Sequence, residues 1–245
     1  MKFVSAICAL SLLILTGCGT GEESRRTLRV FAAASLSDVF AEVKTAFSES
    51  DPDVDLQFSF AGSADLVSQI SEGAPADVVA TADEATMSTL RGQELLADAP
   101  TVFAANTLTL AVGKGNPKSI RTSADLDGKA LVVCALQVPC GAATTKWAKT
   151  SGTVLNPVSE ENSVTDVLGK VRSGQADAGI VYVTDVRRAE SEVDQVELPG
   201  SDAAVNRYPA AAVKGGNQAD AAAFIDFLRS AEARKILTGA GFTTP

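Results

Sequence analysis

Strand-like and helix-like segments alternate along most of this 245-residue chain, which places it in the α/β class with a mostly parallel sheet. Two of these alternations share one plan: an apolar strand runs into a serine, and an amphipathic helix begins at once. Arg29-Val-Phe-Ala-Ala-Ala-Ser35 leads into a helix from Leu36 to Val43, and Leu56-Gln-Phe-Ser-Phe-Ala-Gly-Ser63 into one from Ala64 to Ile70. A serine at such a junction can cap the helix with its side-chain oxygen. The first turn also presents backbone N–H groups that no intrahelical carbonyl uses, and such an end favours a bound anion. In open α/β sheets ligands gather at the carboxyl ends of strands, so both readings, cap and anion site, stand for Ser35 and Ser63.

The remaining elements follow in order. Ala76-Asp-Val-Val-Ala-Thr81 reads as a buried strand, with a helix from about Glu84 to Leu90. Asn106 to Gly113 reads as another strand, ended by the turn-like Lys114-Gly-Asn-Pro117. Ser123-Ala-Asp-Leu126 is a capped helical turn, Ala130 to Cys134 a strand, and Ala142 to Thr150 a helix carrying Trp147, the chain's one tryptophan. Val164, Val167, Leu168 and Val171 fall at helical spacing behind Asn162-Ser163 as cap material, and Gly174 ends that helix. Ala178 to Val183 is a strand ending near Tyr182, a residue that core packing alone would explain. Val196-Glu-Leu-Pro199 and Tyr208 to Val213 read as edge strands, and Asp220 to Leu237 as a closing helix with Phe224, Ile225, Phe227 and Leu228 on its apolar face.

The first residues read as an export signal. Met1-Lys2 supplies a charge, Phe3 to Leu15 is almost wholly apolar yet shorter than the ~20 residues of a spanning helix, and Leu15-Thr-Gly-Cys18 follows. This last motif resembles the lipobox of bacterial lipoproteins, in which the cysteine is lipidated and becomes the first mature residue. Residues 1–17 would then be the signal peptide and 18–27 a small, polar tether. Cys8 leaves with the signal and Cys18 carries lipid, so Cys134 and Cys140 remain as a pair for which an oxidising compartment makes a disulfide plausible.

Zinc binding is disfavoured because the spacing is not Cys-x-x-Cys and the chain contains no histidine. The same absence excludes Ser-His-Asp and Cys-His nucleophile systems. No phosphate-binding Gly-rich loop and no Gly-x-Ser-x-Gly elbow occurs, so little supports an enzyme. Cleavage removes Lys2 and leaves 20 basic against 30 acidic residues, which argues against nucleic acid and against long-range capture of anions. An anion would have to be held by local, aimed hydrogen bonds.

Six segments in order carry a family resemblance: Val30-Phe-Ala-Ala-Ala-Ser35-Leu36, Phe60-Ala-Gly-Ser63, Gly73-Ala-Pro-Ala-Asp77-Val78, Val138-Pro-Cys-Gly141, Gly179-Ile-Val-Tyr182 and Tyr208-Pro209. Together they resemble the periplasmic molybdate-binding proteins of bacterial ABC importers, over nearly all of the mature chain. The resemblance implies a type II periplasmic-binding fold, two α/β lobes with a ligand cleft and two crossover segments, near Ala105 to Leu108 and Asn206 to Pro209. Lobe I would comprise 28–105 plus 207–245, and lobe II 106–206.

It further implies that molybdate, and with it tungstate, is the ligand, that no cofactor is used, and that a monomer hands the anion to a membrane permease from the outer face of the cell membrane. Sulfate or phosphate is the alternative ligand. By the same resemblance Ser35 and Ser63 would each donate a hydroxyl and a backbone N–H. Cys140 and Val164 would donate backbone N–H groups, and Tyr182 its hydroxyl. Two positions depart from the pattern: Gly62 stands where serine is common and Cys140 where alanine is common. A Cys134–Cys140 bridge would lie beside the anion.

Overall fold

The computed structural model describes residues 25–245; the expected signal peptide 1–17 and lipidation site Cys18 lie outside the described residues. The chain opens with β1 (Arg26–Ala33), a tight 3-10 turn (Ala34–Leu36) and α1 (Ser37–Ser50). Arg26 and Thr27, expected in the tether, are thus already strand; the Arg26 guanidinium donates to Asp220 at 3.0 Å and holds the strand's start down. There follow β2 (Val54–Ala61), α2 (Ser63–Ser71), β3 (Val78–Ala80), α3 (Glu84–Gly92) and β4 (Thr101–Asn106).

After a single residue, Thr107, the chain enters a second sheet with β5 (Leu108–Gly113), then β6 (Leu131–Cys134), α4 (Pro139–Ser151), β7 (Ser159–Glu161), α5 (Val164–Arg172), β8 (Ala178–Tyr182), α6 (Val183–Arg188) and β9 (Val193–Val196). It returns to the first sheet as β10 (Asn206–Ala212) and ends with α7 (Gln218–Phe227) and α8 (Ala231–Gly239).

The strand order is β2-β1-β3-β10-β4 in the first sheet and β7-β6-β8-β5-β9 in the second. Each sheet is mixed, not mostly parallel. β1 runs parallel to β2 and β3, and β6 parallel to β7 and β8, while β10 and β5 run against both of their neighbours. The two antiparallel intruders are the strands that the chain forms on arriving from the other unit. Asn206 to Pro209, expected in a crossover, therefore lie within β10, and the return passes through 197–205.

Tyr208 to Val213 was expected at an edge, but β10 sits between β3 and β4. Its proline is tolerated there because the pairing with β4 shifts register between Tyr208 and Pro209, where a missing N–H costs no ladder bond. The strand expected at Val196 to Pro199 falls slightly earlier, as β9, and does lie at an edge. The single helix expected over Asp220 to Leu237 is two, broken at Leu228 to Ser230, where the Ser230 hydroxyl caps α8 by accepting from the Ala233 N–H at 3.1 Å.

Both faces of the first sheet are covered. Val30 and Ala32 of β1 face a cluster built on Phe40, Phe47, Phe103 and Phe224, whereas Phe31 faces Leu66, Ile70, Met87 and Leu90. This explains why β1 reads as a continuous apolar run. The second sheet has a core of its own around Val132, Val167, Ile180 and Trp147, whose indole N–H donates to the Pro199 carbonyl at 3.0 Å.

Gly73-Ala-Pro-Ala-Asp77 serves this architecture and lies away from the cleft described below. The buried Asp77 carboxylate accepts the Arg29 N–H at 2.7 Å and the Asn217 N–H at 2.9 Å, joining β1 to the entry of α7. Asp77→Ala leaves both amides without their acceptor, and we expect a loss of about 1–2 kcal/mol in urea unfolding.

Candidate functional site

Four helix starts meet between the two sheets. The turn Ala34–Leu36 before α1 and the Gly62-Ser63 start of α2 come from the first unit; the starts of α4 and α5 come from the second. They line one small cavity, and Ser35, Ser63, Cys140, Val164 and Tyr182 are all among its wall residues. The five candidates, scattered over almost 150 positions in sequence, are therefore brought together. Among the described residues no charged side chain lines the cavity, so what it offers a ligand is hydroxyl groups and first-turn N–H groups.

The serines are not side-chain caps. Neither the turn at Ala34 nor α2 shows a side-chain capping bond. The Ser35 hydroxyl instead bonds to the Tyr208 hydroxyl at 2.9 Å, and the Ser63 hydroxyl accepts the Ala82 N–H at 3.0 Å. Their partners come from β10 and from the residue pair following β3, which orient each hydroxyl from the side. The Ser163 hydroxyl, in contrast, is a true cap: it accepts the Asp166 N–H at 3.2 Å and leads the chain into Val164.

At α4, Pro139 occupies the first turn, where its missing N–H is harmless, and Cys140 follows. Cys140 is bonded to Cys134, their Cα atoms 5.6 Å apart, so the loop from β6 to α4 is covalently closed. Gly141 keeps that loop tight, since a methyl group there would stand 1.9 Å from the Ala135 carbonyl oxygen.

Tyr182 ends β8 and is buried, and its hydroxyl is a buried polar atom with no hydrogen-bond partner among the described residues. Burial pushes its pKa well above the ordinary phenol value, so it remains a donor. Its ring packs edge-on against that of Tyr208, with centroids 6.2 Å apart. Behind it the buried Asp185 carboxylate accepts the Tyr182 N–H at 2.9 Å. Burial raises the Asp185 pKa to about 6, although the Arg188 guanidinium and that N–H both favour the ionised form.

Several residues that join the units were not singled out in the sequence. Asn206 donates to the Ala82 carbonyl at 2.9 Å and to the Pro139 carbonyl at 3.4 Å, one from each unit. Asn106 donates to the Thr184 hydroxyl at 2.8 Å. Arg188 of α6 reaches across to α1, donating to the Ser37 hydroxyl at 3.1 Å and pairing with Asp38 at 3.1 Å. Asparagines and arginines at element ends carry no distinctive local pattern; only their long-range partners reveal them. A larger surface groove of about 760 Å³ between the Ser123–Leu126 turn and residues 153–158 lies wholly in the second unit and gathers none of the candidates.

Residues 28–243 match the family model described as bacterial extracellular solute-binding protein. The chain belongs to this family. As a solute-binding protein it is 42% identical over 251 residues to the molybdate-binding protein ModA of Mycobacterium tuberculosis, with 98% of this chain and 96% of that protein covered. Among solved structures it resembles the periplasmic molybdate-binding protein of Azotobacter vinelandii, with a TM-score of 0.78 and 21% identity over 89% of this chain and 99% of that one. It also resembles the sulfate-binding protein SubI of Mycobacterium tuberculosis, with a TM-score of 0.74 and 23% identity over 90% of this chain and 87% of that one. The two structural likenesses establish the two-unit α/β fold, which serves both ligands named, so the ligand must be argued from the cavity and the closer relative. The family's role is extracellular binding of a solute.

Proposed function

We propose that this solute-binding protein captures molybdate, accepts tungstate as well, and delivers the anion to the permease of an ABC importer. The observation that carries the reading is the convergence of Ser35, Ser63, Cys140, Val164 and Tyr182 on one cavity whose walls, among the described residues, hold no charged side chain. Ser35, Ser63 and Tyr182 present hydroxyl groups, and Cys140 and Val164 present first-turn N–H groups. The full-length relative at 42% identity, named for molybdate, supports the choice of cargo. Dispersing a dianion over neutral dipoles from four helix starts holds it firmly in the closed cleft and still allows release once the units part. The acidic composition fits this mechanism, because attraction at long range contributes nothing.

In this reading the expected lobes, 28–105 with 207–245 and 106–206, shift by one residue at each crossing, because Asn106 and Asn206 pair with each other within the first sheet, and the protein acts as a monomer. Lipid on Cys18 anchors it to the outer face of the membrane, as the Leu15-Thr-Gly-Cys18 pattern supports. A thermal-shift panel tests the cargo. Molybdate and tungstate should raise the melting temperature progressively above their Kd, because the folded state gains RT ln(1 + [L]/Kd) in stability, about 2.7 kcal/mol at a hundredfold excess over Kd. Sulfate and phosphate should leave it unmoved. A shift with sulfate or phosphate alone would transfer the protein to the other cargo.

A further inference from the structure

Gly62 immediately precedes α2 with φ −57° and ψ 139°, a conformation open to any L-residue. Backbone freedom therefore does not explain a glycine at this position; a close approach does. A methyl group on Gly62 would stand 2.2 Å from the backbone carbonyl oxygen of Asn162. The obstacle is main chain, in the residue just before the Ser163 cap of α5, so no side chain can swing aside to make room.

The contact also crosses from one unit to the other, and Gly62 and Asn162 both line the candidate cavity. Among the described residues no other glycine combines these features. Gly141, Gly179 and Gly216 crowd atoms of their own unit, and Gly241 meets only the side chain of Arg187.

We propose that Gly62 sets the distance to which the two units close, and through it the size of oxyanion the cavity retains. The inference rests on the reading of the cavity as an oxyanion site. Moving a methyl group from 2.2 Å to the 3.4 Å of ordinary contact would hold the rims more than 1 Å apart. An anion seated on Ser35 and Ser63 would then find the N–H groups of Cys140 and Val164 stretched beyond the ~3.2 Å limit of a good hydrogen bond. Small tetrahedral anions would lose most, since they have least reach across the widened gap.

Gly62→Ala and Gly62→Ser test this, with molybdate, tungstate and sulfate titrated by calorimetry and release followed by stopped flow. The ligand-free melting temperature should stay within about 1 °C of wild type, because the contact exists only when the units meet. Molybdate affinity should fall at least about tenfold, mainly through faster release, and ligand-induced compaction in small-angle scattering should shrink. If wild type binds and both variants match its affinity within about twofold, the inference is overturned while the functional reading survives. A ligand-free melting loss as large as the loss in the bound form also overturns it, since Gly62 would then serve packing within its own unit. A wild type that binds none of the three anions removes the functional reading itself, and this inference with it.

Discussion

Replacing Tyr182 by phenylalanine is expected to move two observables in opposite directions: the ligand-free protein becomes slightly more stable and molybdate binds less tightly. The hydroxyl is buried without a hydrogen-bond partner among the described residues, and an unsatisfied buried donor costs about 1–3 kcal/mol. Phenylalanine keeps the ring and its edge-on packing against Tyr208, so the gain is not offset by a cavity. Opening of the cleft would let water reach the hydroxyl in part of the ligand-free population, so the net gain should be at most about 1 kcal/mol. A hydrogen bond to a charged acceptor contributes about 1.5–3 kcal/mol, so removing it should weaken molybdate roughly 10- to 150-fold.

Burial keeps the Tyr182 hydroxyl protonated, and the loss should therefore be the same at every pH from about 6 to 9. Chemical denaturation of the ligand-free protein together with calorimetric titration of molybdate would measure both effects. If stability and affinity fell together, the hydroxyl would be a structural group and not a ligand donor.

What the sequence revealed and what it hid follow from the range of each interaction. Ser35 and Ser63 stand out because an apolar run and a helical period meet at each, and both signals are local. The same locality leaves capping and anion binding both open for the serine hydroxyls, since the partners that decide against capping, Tyr208 and Ala82, come from 173 and 19 positions away. Ser163 reads correctly as a cap because its acceptor role is spent three residues on, at Asp166.

The break in the closing helix hides in Leu228-Arg229-Ser230, which contains neither glycine nor proline and is ended by the cap at Ser230. β7 is three residues long, Ser159-Glu-Glu161, and carries no apolar signature; it exists because β6 offers it an edge. Cys140 and Val164 would act through backbone atoms, so their side chains give no sign of a role, and the resemblance alone brings them forward. Gly62 is the converse: its departure from the family pattern is visible in sequence, while the Asn162 carbonyl that gives it meaning appears only once the two units are assembled.

Asp185 should impose an acid-side gain in stability that its asparagine variant lacks. Its pKa lies at about 6 in the folded protein against an ordinary 3.8, so between these values the folded state binds the proton more tightly than the unfolded chain does. The slope of stability with pH is set by protons bound in the unfolded state minus those bound in the folded state, and is here negative: this residue's contribution improves as pH falls through 6. Roughly two pKa units correspond to a penalty of about 3 kcal/mol at neutral pH, of which about 1 kcal/mol should be relieved between pH 7 and pH 5.

The total profile will not show this cleanly. Asp55, Glu161 and Asp177 have pKa values lowered by lysine partners or backbone N–H groups, and their stabilisation is lost as pH falls further, toward their own lowered values. The difference between wild type and Asp185→Asn isolates the one residue, because those carboxylates are common to both. The asparagine oxygen can still accept the Tyr182 N–H, whereas Arg188 loses its partner within α6 and keeps Asp38 and Ser37 across the cleft. Urea unfolding of ligand-free protein at intervals from about pH 7.5 to 4.5 should show wild type gaining on the variant by about 1 kcal/mol between pH 7 and pH 5. A gap that stayed constant with pH would mean that Asp185 is already ionised throughout this range, held by Arg188 strongly enough to overcome its burial.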